Sequence, residues 1–348
     1  MKERIWLRNT ALAVGVLAFG LAGAVGTADA QDKKYRFLVV SHMGPNDSNS
    51  KWFDLSLSAF EEKFPDAEAE YISTSEYNTQ KYIQLIEQAV ATDPDGLAVA
   101  ITEPAALEGA INKAIEKGIP VVAFNISDSR PQPEKIDYLT YIGGDEYRTG
   151  LHAGQHALGQ AQAGKVPQPT KVLCANPDPA HAGLAGRCRG MTDAMAEAGI
   201  ETETLITDQD PARASNILGS YLQSNEDVNF IYTVTGDSGP VVWRVADELG
   251  LSPDVDMDGV TIIGVDANPI SLTGVADGRL LSTHSQGFWL QGFEAASWLY
   301  WFNKFGYKPA GDILTGPVIV DASTADSWIG FIKGVFGDEA WDQQAAAW

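Results

Sequence analysis

The sequence predicts an α/β protein built from two doubly wound parallel sheets, and three observations lead to this prediction. Short apolar runs rich in β-branched residues alternate with segments whose apolar residues recur at helical spacing. Glycine and proline stand at many boundaries between the two kinds of segment. The chain has 348 residues, which is too long for one ordinary hydrophobic core and suits two domains. Alternation on this scale places helices on both faces of parallel sheets.

The first part of the chain shows the alternation clearly. Arg36–Val40 is apolar and β-branched, which predicts a buried strand, whereas Trp52–Phe64 carries apolar residues at helical spacing. Pro104 suits the first turn of a helix, and Gly118 ends that helix. The expected elements are strand Arg36–Val40, helix Trp52–Phe64, strand Ala69–Thr74, a helix with the face Tyr82, Leu85, Ile86, Ala89 and Val90, strand Gly96–Ile101, helix Ala105–Lys117 and strand Pro120–Phe124.

The pattern then repeats, with proline at the start of several helices and Gly199 at the end of another. In a doubly wound fold, ligands bind beyond the carboxyl ends of the strands, so the residues that follow each strand are the candidates for function. The expected elements are strand Tyr138–Gly144, helix Glu146–Gln160, strand Lys171–Ala175, helix Ala182–Ala198, strand Thr202–Thr207, helix Pro211–Gln223, strand Phe230–Val234, helix Pro240–Leu249, strand Val260–Val265, helix Pro269–Ala276, strand Leu280–Gln286, helix Phe288–Phe305 and strand Leu314–Asp321.

The first thirty residues have the three-part layout of a secretory signal peptide. Lys2, Arg4 and Arg8 form a positive start, and Ala11–Val25 is uncharged and apolar. Ala28–Ala30 offers small residues at the two positions that a signal peptidase reads. The apolar run is shorter than the ~20 residues of a membrane-spanning helix, although a retained membrane anchor is the alternative. We expect cleavage after Ala30 and a mature protein outside the cytoplasm, which the family resemblance below narrows to the periplasm.

Charge and cysteine content restrict the function further. The formal net charge is −22, and such a chain repels nucleic acid and anionic membranes, so we expect neither as a partner. The two cysteines, Cys174 and Cys188, are expected to form a disulfide in an oxidising compartment. Two buried thiols are the alternative, because sequence does not fix the geometry that a disulfide requires.

Three short motifs are typical of catalytic or metal sites, but their context argues against those functions. Gly159–Lys165 has the glycine and lysine spacing of a phosphate-binding loop, yet it ends a predicted helix and is followed by Val166. Gly236–Pro240 is similar to a protease nucleophile segment but has no evident histidine and aspartate partners. His152 and His156 could share a metal ion, but no third ligand is apparent. We therefore expect no enzyme activity, no metal and no cofactor.

Four segments carry a family resemblance: YRFLVVSHMGP, PDGLAVAITEPAALEGAINKAIEKGIPVVAFN, YIGGDEYRTGLHAGQHAL and VTIIGVDANP. They resemble the type I periplasmic sugar-binding proteins, the ribose-binding-like family of simple-sugar ABC transporters. The resemblance covers nearly all of residues 35–320, and the order and spacing of the segments are more specific than any one of them. Two further segments resemble a simple-sugar-binding subgroup with a cysteine pair at these places: KVLCANPDPAHAGLAGRCRGM and SQGFWLQGF.

The resemblance implies two lobes joined by a three-crossover hinge near Gly144, Gln286 and Val318. A ligand would bind in the cleft, the lobes would close over it, and the closed form would dock on an ABC permease in the inner membrane. The implied ligand is a monosaccharide or polyol, and we expect a monomer. The alternative is a binding protein for a nucleoside or a furanose-like signal, and a variant of this alternative presents the bound ligand to a chemoreceptor. The implied organisation is a signal peptide over 1–30, an N-lobe over 31–144 and 287–318, and a C-lobe over 145–286 and 319–348.

Polar and aromatic side chains at the predicted strand ends are the candidate sugar-binding residues. Planar polar groups pair with ring hydroxyls in fixed directions, and aromatic faces cover the apolar C–H patches of a sugar. A carboxylate such as that of Asp266 can accept two hydroxyl donors through charge-assisted hydrogen bonds. The candidates are Ser41, His42, Trp52, Phe53, Asn125, Arg187, Thr235, Asp237, Asp266 and Gln286.

Some of these candidates have a structural alternative. Trp52 and Phe53 could pack in the core, because helix-face aromatics usually do. Arg187 could form a surface ion pair, and Asp266 could cap a helix.

The chain also departs from many ribose-type relatives. They carry Asp-Arg where this chain has Asn125-Ile126, and Asn-Asp where it has Thr235-Gly236. The first loop, Met43–Lys51, is several residues longer than theirs. The resemblance therefore does not predict ribose as the ligand.

Overall fold

The computed structural model describes residues 35–45, 47, 49–252 and 259–345. The predicted signal peptide and its cleavage point lie outside these residues. No helix in the described part of the chain is both long and apolar enough to cross a membrane. The elements in chain order are β1 (Tyr35–Ser41), α1 (Ser50–Lys63), β2 (Ala67–Ser73), α2 (Thr79–Ala91), β3 (Gly96–Val99), α3 (Pro104–Glu116), β4 (Val121–Asn125), β5 (Tyr141–Gly144), α4 (Glu146–Gln162), β6 (Lys171–Asn176), α5 (Ala182–Glu197), β7 (Glu201–Ile206), α6 (Pro211–Ser224), β8 (Phe230–Thr233), α7 (Ser238–Leu249), β9 (Thr261–Ile263), α8 (Pro269–Ala276), β10 (Ser282–Ser285), α9 (Phe288–Phe305), β11 (Ile313–Gly316), β12 (Val318–Asp321), α10 (Ala325–Phe336) and α11 (Asp338–Ala345).

The described strands form two six-stranded sheets, which confirms the predicted α/β fold class. The first sheet has the order β11-β5-β4-β3-β1-β2, and its strand pairs are parallel. The second has the order β12-β10-β9-β8-β6-β7 and is parallel except for the edge pair β10–β12. In both sheets the chain winds outward in two directions from the strand next to one edge, which is β1 in the first sheet and β6 in the second. Strand order therefore reverses beside these two strands, and doubly wound folds bind ligands at such a reversal.

Burial on both faces explains why the central strands are almost continuously apolar. The residues of β3, β4 and β8 are all buried. Helix α9 packs across the first sheet, and a Cβ on Gly96 of β3 would lie 2.8 Å from the side chain of Leu299. Glycine at that position allows the helix and the sheet to approach closely.

The end of the chain differs from the sequence prediction. The single strand expected over Leu314–Asp321 is two strands, because β11 belongs to the first sheet and β12 to the second. Pro317 lies between them and cannot donate a backbone hydrogen bond to a strand ladder. Helices α10 and α11, which the sequence analysis did not predict, follow β12, and α10 packs against α8.

The main chain passes between the two sheets at three places. These are β5 to α4, β10 to α9, and β11 to β12. Around the third passage, the backbone N–H of Asp145 donates to the carbonyl oxygen of Gly316. The predicted lobe boundaries for the whole chain stay a prediction.

Candidate functional site

A cavity of about 330 Å³ lies where the carboxyl ends of both sets of strands meet. Its volume is at the lower end of the ~300–1,000 Å³ range of small-molecule sites. His42 and Asn125 reach it from the first sheet, and Thr235 and Asp266 reach it from the second. Both sheets therefore contribute polar side chains to one cavity.

Seven of the ten candidate residues line this cavity. They come from separate parts of the sequence, and the convergence of the strand ends brings them together. The seven are His42, Asn125, Arg187, Thr235, Asp237, Asp266 and Gln286.

The other three candidates are not among the residues that line the cavity. Ser41 is buried at the end of β1, where its hydroxyl accepts a hydrogen bond of 3.1 Å from the N–H of Met43. Trp52 packs against Phe336 with ring centroids 4.3 Å apart, and Phe53 stacks on Tyr71 at 5.3 Å. Helix α1 turns its apolar face inward. Trp52 and Phe53 therefore lie in the core, which is the structural alternative considered above.

Asp266 is the centre of a buried hydrogen-bond network. Its Oδ2 accepts from Asn49 Nδ2 at 3.1 Å and from the N–H of Gly236 at 3.1 Å. Its Oδ1 accepts from Gln286 Nε2 at 2.5 Å. The helix-cap alternative is wrong, because the side chain of Asn268 caps α8. The Asp266 carboxylate therefore joins the loop before α1, the loop after β8 and the β10–α9 passage.

Asp266 and Asn125 also share an uncommon backbone conformation. Their φ angles are +68° and +60°, in the left-handed region that non-glycine residues rarely adopt. The Tyr141 hydroxyl donates to the carbonyl oxygen of Asn125 at 2.5 Å, and Asn125 Nδ2 donates to Gln291 Oε1 at 3.2 Å. The surrounding structure therefore holds a strained backbone in place at the cavity.

Arg187 forms a buried ion pair rather than the surface pair considered above. Its Nε donates to Glu146 Oε2, and its Nη1 donates to the carbonyl oxygen of Val234 at 2.6 Å. Burial opposes the charge of Arg187, but Glu146 and Asp266 outweigh this effect and raise its pKa above the ordinary value. Burial raises the pKa of Glu146, although Arg187 acts in the opposite direction. The guanidinium is thus held charged at the cavity wall.

Close packing of α4 on α5 positions this ion pair. A Cβ on Gly150 would lie 1.8 Å from the carbonyl oxygen of Arg187, and a Cβ on Gly190 would lie 2.0 Å from that of Tyr147. A larger side chain at either glycine would clash with the backbone of the facing helix.

Two histidines meet across the cavity. The rings of His42 and His181 are 5.2 Å apart, and Tyr77 packs edge-on against His42 at 5.8 Å. Burial, followed by the charge of Arg187, lowers the pKa of His42 to about 3. Burial also lowers the pKa of His181 far below its usual range, and its Nδ1 accepts a hydrogen bond from the N–H of Leu184. Both rings are therefore neutral at neutral pH.

The cavity is also lined by residues that the sequence analysis did not select, among them five with polar or aromatic side chains. Asp47 and Asn49 come from the first loop, whose extra length was the only signal that pointed to them. His181 immediately precedes α5, and Phe288 begins α9 two residues after Gln286. The five residues are Asp47, Asn49, Tyr77, His181 and Phe288.

The predicted disulfide between Cys174 and Cys188 is confirmed, and the buried-thiol alternative is wrong. The Cα atoms are 5.7 Å apart, and the bond joins β6 to α5. Because Arg187 is the neighbour of Cys188 in α5, the bond also restrains the helix turn that carries the cavity arginine.

The three motifs set aside above occupy structural positions. Gly159–Lys165 covers the last turn of α4 and the turn after it, and Gly236–Pro240 leads from β8 into α7. Nε2 of His156 lies 3.8 Å from Asp321 Oδ2. In the described ranges, no group of three histidine, cysteine or acidic residues is placed to hold a metal ion.

Comparison with known sequences gives one family and several relatives. The family described as periplasmic binding protein domain matches residues 40–301. The xylose/arabinose-binding protein XylF of Sulfolobus acidocaldarius is 26% identical over 233 residues, which are 66% of this chain and 56% of that protein. The D-galactose/methyl-galactoside binding periplasmic protein MglB of Haemophilus influenzae is 26% identical over 197 residues, 54% of this chain and 57% of that protein. The chain thus matches little more than half the length of these relatives.

Solved structures show the same fold. A carbohydrate transporter from Acidothermus cellulolyticus, in complex with myo-inositol, has a TM-score of 0.74 at 23% identity and covers 88% of this chain and 99% of its own. GanP, a glucose-galactose binding protein from Geobacillus stearothermophilus, has a TM-score of 0.73 at 20% identity, with 84% and 99% covered. At these identities the likeness establishes the fold alone.

Proposed function

This chain belongs to the family of periplasmic binding protein domains, and from this premise we propose that it binds a monosaccharide or cyclic polyol as the solute-binding subunit of an ABC importer. The relatives named above, with their pentose, hexose and inositol ligands, support this class of ligand. The protein binds and releases its ligand without chemical change. Its partner is an inner-membrane permease, and it acts as a monomer in the periplasm after loss of residues 1–30.

The observation that carries this proposal is a set of buried polar atoms around the cavity that have no partner among the described residues. They are Nδ1 of His42, Oδ1 of Asn49 and Oε1 of Gln286. An unpaired buried polar atom costs about 1–3 kcal/mol. Unpaired polar atoms on residues that line the cavity favour a polar, hydroxyl-rich ligand over an apolar molecule.

Other residues suit the remaining surface of a sugar. Arg187 and Asn125 present planar polar groups at the cavity wall, and such groups pair with hydroxyls in fixed directions. Phe288 also lines the cavity, and an aromatic face of this kind can cover the apolar C–H patch of a sugar ring.

We further propose that the two sheets with their helices are lobes that close over the ligand, with the hinge at the three chain passages. Contacts that join the sides of the cavity support a closed form. Asn49 donates to Asp266, the rings of His42 and His181 touch, and the N–H of Ala182 donates to the carbonyl oxygen of Thr102 at 2.9 Å. Opening would break these contacts, and ligand binding would favour their formation.

A thermal-shift screen of the mature chain tests the proposal. A ligand at about 100 times its Kd adds ~2.7 kcal/mol of stability, so at least one pentose, hexose or cyclic polyol should raise the Tm by several degrees. The variant Asn49→Ala should bind that ligand more weakly, whereas Asn216→Ala, on the exposed face of α6, should bind it normally. Stabilisation by nucleosides alone, or by no member of the panel, would refute the proposal.

A further inference from the structure

Arg187 is the only lysine or arginine among the described residues that line the cavity. Its Nε donates to Glu146, and its Nη1 donates to the carbonyl oxygen of Val234. These two bonds, on different nitrogens of one planar group, fix the orientation of the guanidinium. A guanidinium carries further N–H donors in the same plane, so Arg187 can still donate to a ligand.

Glu146 contacts Arg187 but does not itself line the cavity. It is the first residue of α4, directly after the β5–α4 passage. Its side chain is 12% exposed and that of Arg187 is 4% exposed, so water screens this ion pair little. Glu146 can therefore influence a bound ligand through Arg187 without touching the ligand.

The carboxylate of Glu146 balances the charge of Arg187. Among the described acidic residues, only Glu146 forms an ion pair with it. The nearby carboxylate of Asp266 instead accepts hydrogen bonds from Asn49, Gly236 and Gln286. Arg187 therefore reaches the cavity as half of a neutral pair and not as an isolated positive charge.

This pairing affects neutral and anionic ligands differently. A sugar hydroxyl can accept a hydrogen bond from Arg187 without adding a charge to the cavity. A sugar carboxylate at the same place would be a second anion beside a guanidinium that Glu146 already neutralises, and like charges in a buried site repel each other. The ion pair thus favours hydroxyl oxygens over carboxylate oxygens.

We propose that Glu146 is a specificity-determining residue, which acts through Arg187 to admit neutral sugars and to exclude sugars that carry a carboxylate. Glu146 is a positioning residue, because it orients and neutralises the group that contacts the ligand. This inference rests on the proposed function, since it specifies which sugars the same cavity accepts. Removal of the Glu146 charge should therefore turn the cavity into a site that also binds sugar acids.

Calorimetric titration of wild type and Glu146→Gln at neutral pH tests the inference. The probes are xylose, glucose and galactose, each with its aldonate, together with glucuronate, galacturonate and myo-inositol. Wild type should bind at least one neutral probe and none of the acids. Glutamine keeps an oxygen that can accept from Arg187 but removes the charge. At least one acid should therefore bind this variant at least about tenfold more tightly than it binds wild type, because a charge-assisted hydrogen bond becomes available.

Three further variants separate the charge of Glu146 from its packing. Glu146→Asp keeps the charge and should still reject the acids. Glu146→Asn is a second uncharged replacement, which should gain acid binding and takes the place of Glu146→Gln if that variant does not fold. Glu197→Gln, at the exposed end of α5, is the matched control. It removes one negative charge from the helix that carries Arg187 and should bind every probe as wild type does.

The possible outcomes separate this inference from the proposed function. A wild type that binds a sugar acid as tightly as the parent sugar would overturn the inference and leave sugar binding intact. Folded uncharged variants of Glu146 that gain no acid binding, or a Glu197→Gln variant that gains as much, would also overturn it. Failure of wild type to bind any neutral probe would refute the proposed function, and the inference with it.

Discussion

Replacing Asp266 by alanine should destabilise the protein far more than replacing it by asparagine. The carboxylate accepts three hydrogen bonds, from Asn49, Gly236 and Gln286, and Asp266 is only 5% exposed. Hydrogen bonds to a charged group contribute about 1.5–3 kcal/mol each. The bond from Asn49 forms across the proposed cleft, so it is absent from an open form. Loss of the other two predicts a cost of about 3–6 kcal/mol for Asp266→Ala.

The asparagine variant keeps the shape and is suited to a φ of +68°. Its amide can still accept from Asn49 and Gly236, and it can donate to Gln286 if that side chain rotates by half a turn. The oxygen of Gln286 has no partner among the described residues, so the rotation sacrifices no other observed bond. We therefore expect Asp266→Asn to cost about 1 kcal/mol.

Urea unfolding of the ligand-free mature chain, followed by circular dichroism, gives the free energy of unfolding of each variant from the midpoint and slope of the transition. The expected order of stability, from highest to lowest, is wild type, the asparagine variant and the alanine variant. Equal losses in the two variants, or an alanine variant within about 1 kcal/mol of wild type, would show that the network does not stabilise the fold as argued.

Three further predictions follow from the packing, the disulfide and the buried histidines. Gly150→Ala should cost about 3 kcal/mol or more, because its Cβ would meet a backbone carbonyl of α5 at 1.8 Å. A Cβ on Gly159 in the same helix would have no neighbouring atom within 4 Å, so Gly159→Ala should stabilise the protein by up to ~1 kcal/mol. Equal urea-unfolding midpoints for the two variants would contradict the packing argument. Replacing both Cys174 and Cys188 by alanine opens a loop with a sequence separation of 14, so the free energy of unfolding should fall by about 3 kcal/mol. An unchanged unfolding midpoint would contradict this prediction. Burial lowers the pKa of His42 to about 3, so the unfolded chain binds more protons below about pH 7, and stability should fall by about 2 kcal/mol at pH 5. A profile of Tm against pH should be flatter for His42→Asn than for wild type, and two parallel profiles would contradict the assignment.

The fold could be predicted from the sequence because parallel sheets leave a strong pattern. Buried strands such as Gly96–Val99 are apolar throughout, and Pro104 and Gly118 mark the limits of the next helix. The split of the last strand was missed because β11 and β12 are joined by a single residue, Pro317. Apolar pattern alone does not show that two consecutive strands belong to different sheets.

The positions of the site residues were easier to predict than their roles. Asp266 and Gln286 follow strands, so topology predicts that they lie at the same edge of a sheet. Trp52 and Phe53 also lie near a strand end, but the rotation of α1 turns them into the core. The bond from Asn49 to Asp266 joins residues 217 positions apart in the chain, and no local pattern indicates such a contact.

Mass spectrometry of the protein purified under native conditions tests most directly whether the cavity binds a small hydroxyl-rich molecule. We expect a complex with one molecule of a monosaccharide or polyol mass, which is released on denaturation and recovered chemically unchanged. The variant Asn49→Ala should retain less of it. A folded protein that carries a nucleoside or a chemically altered product, or that carries no ligand and binds none of the sugars and polyols offered to it, would contradict the proposed function.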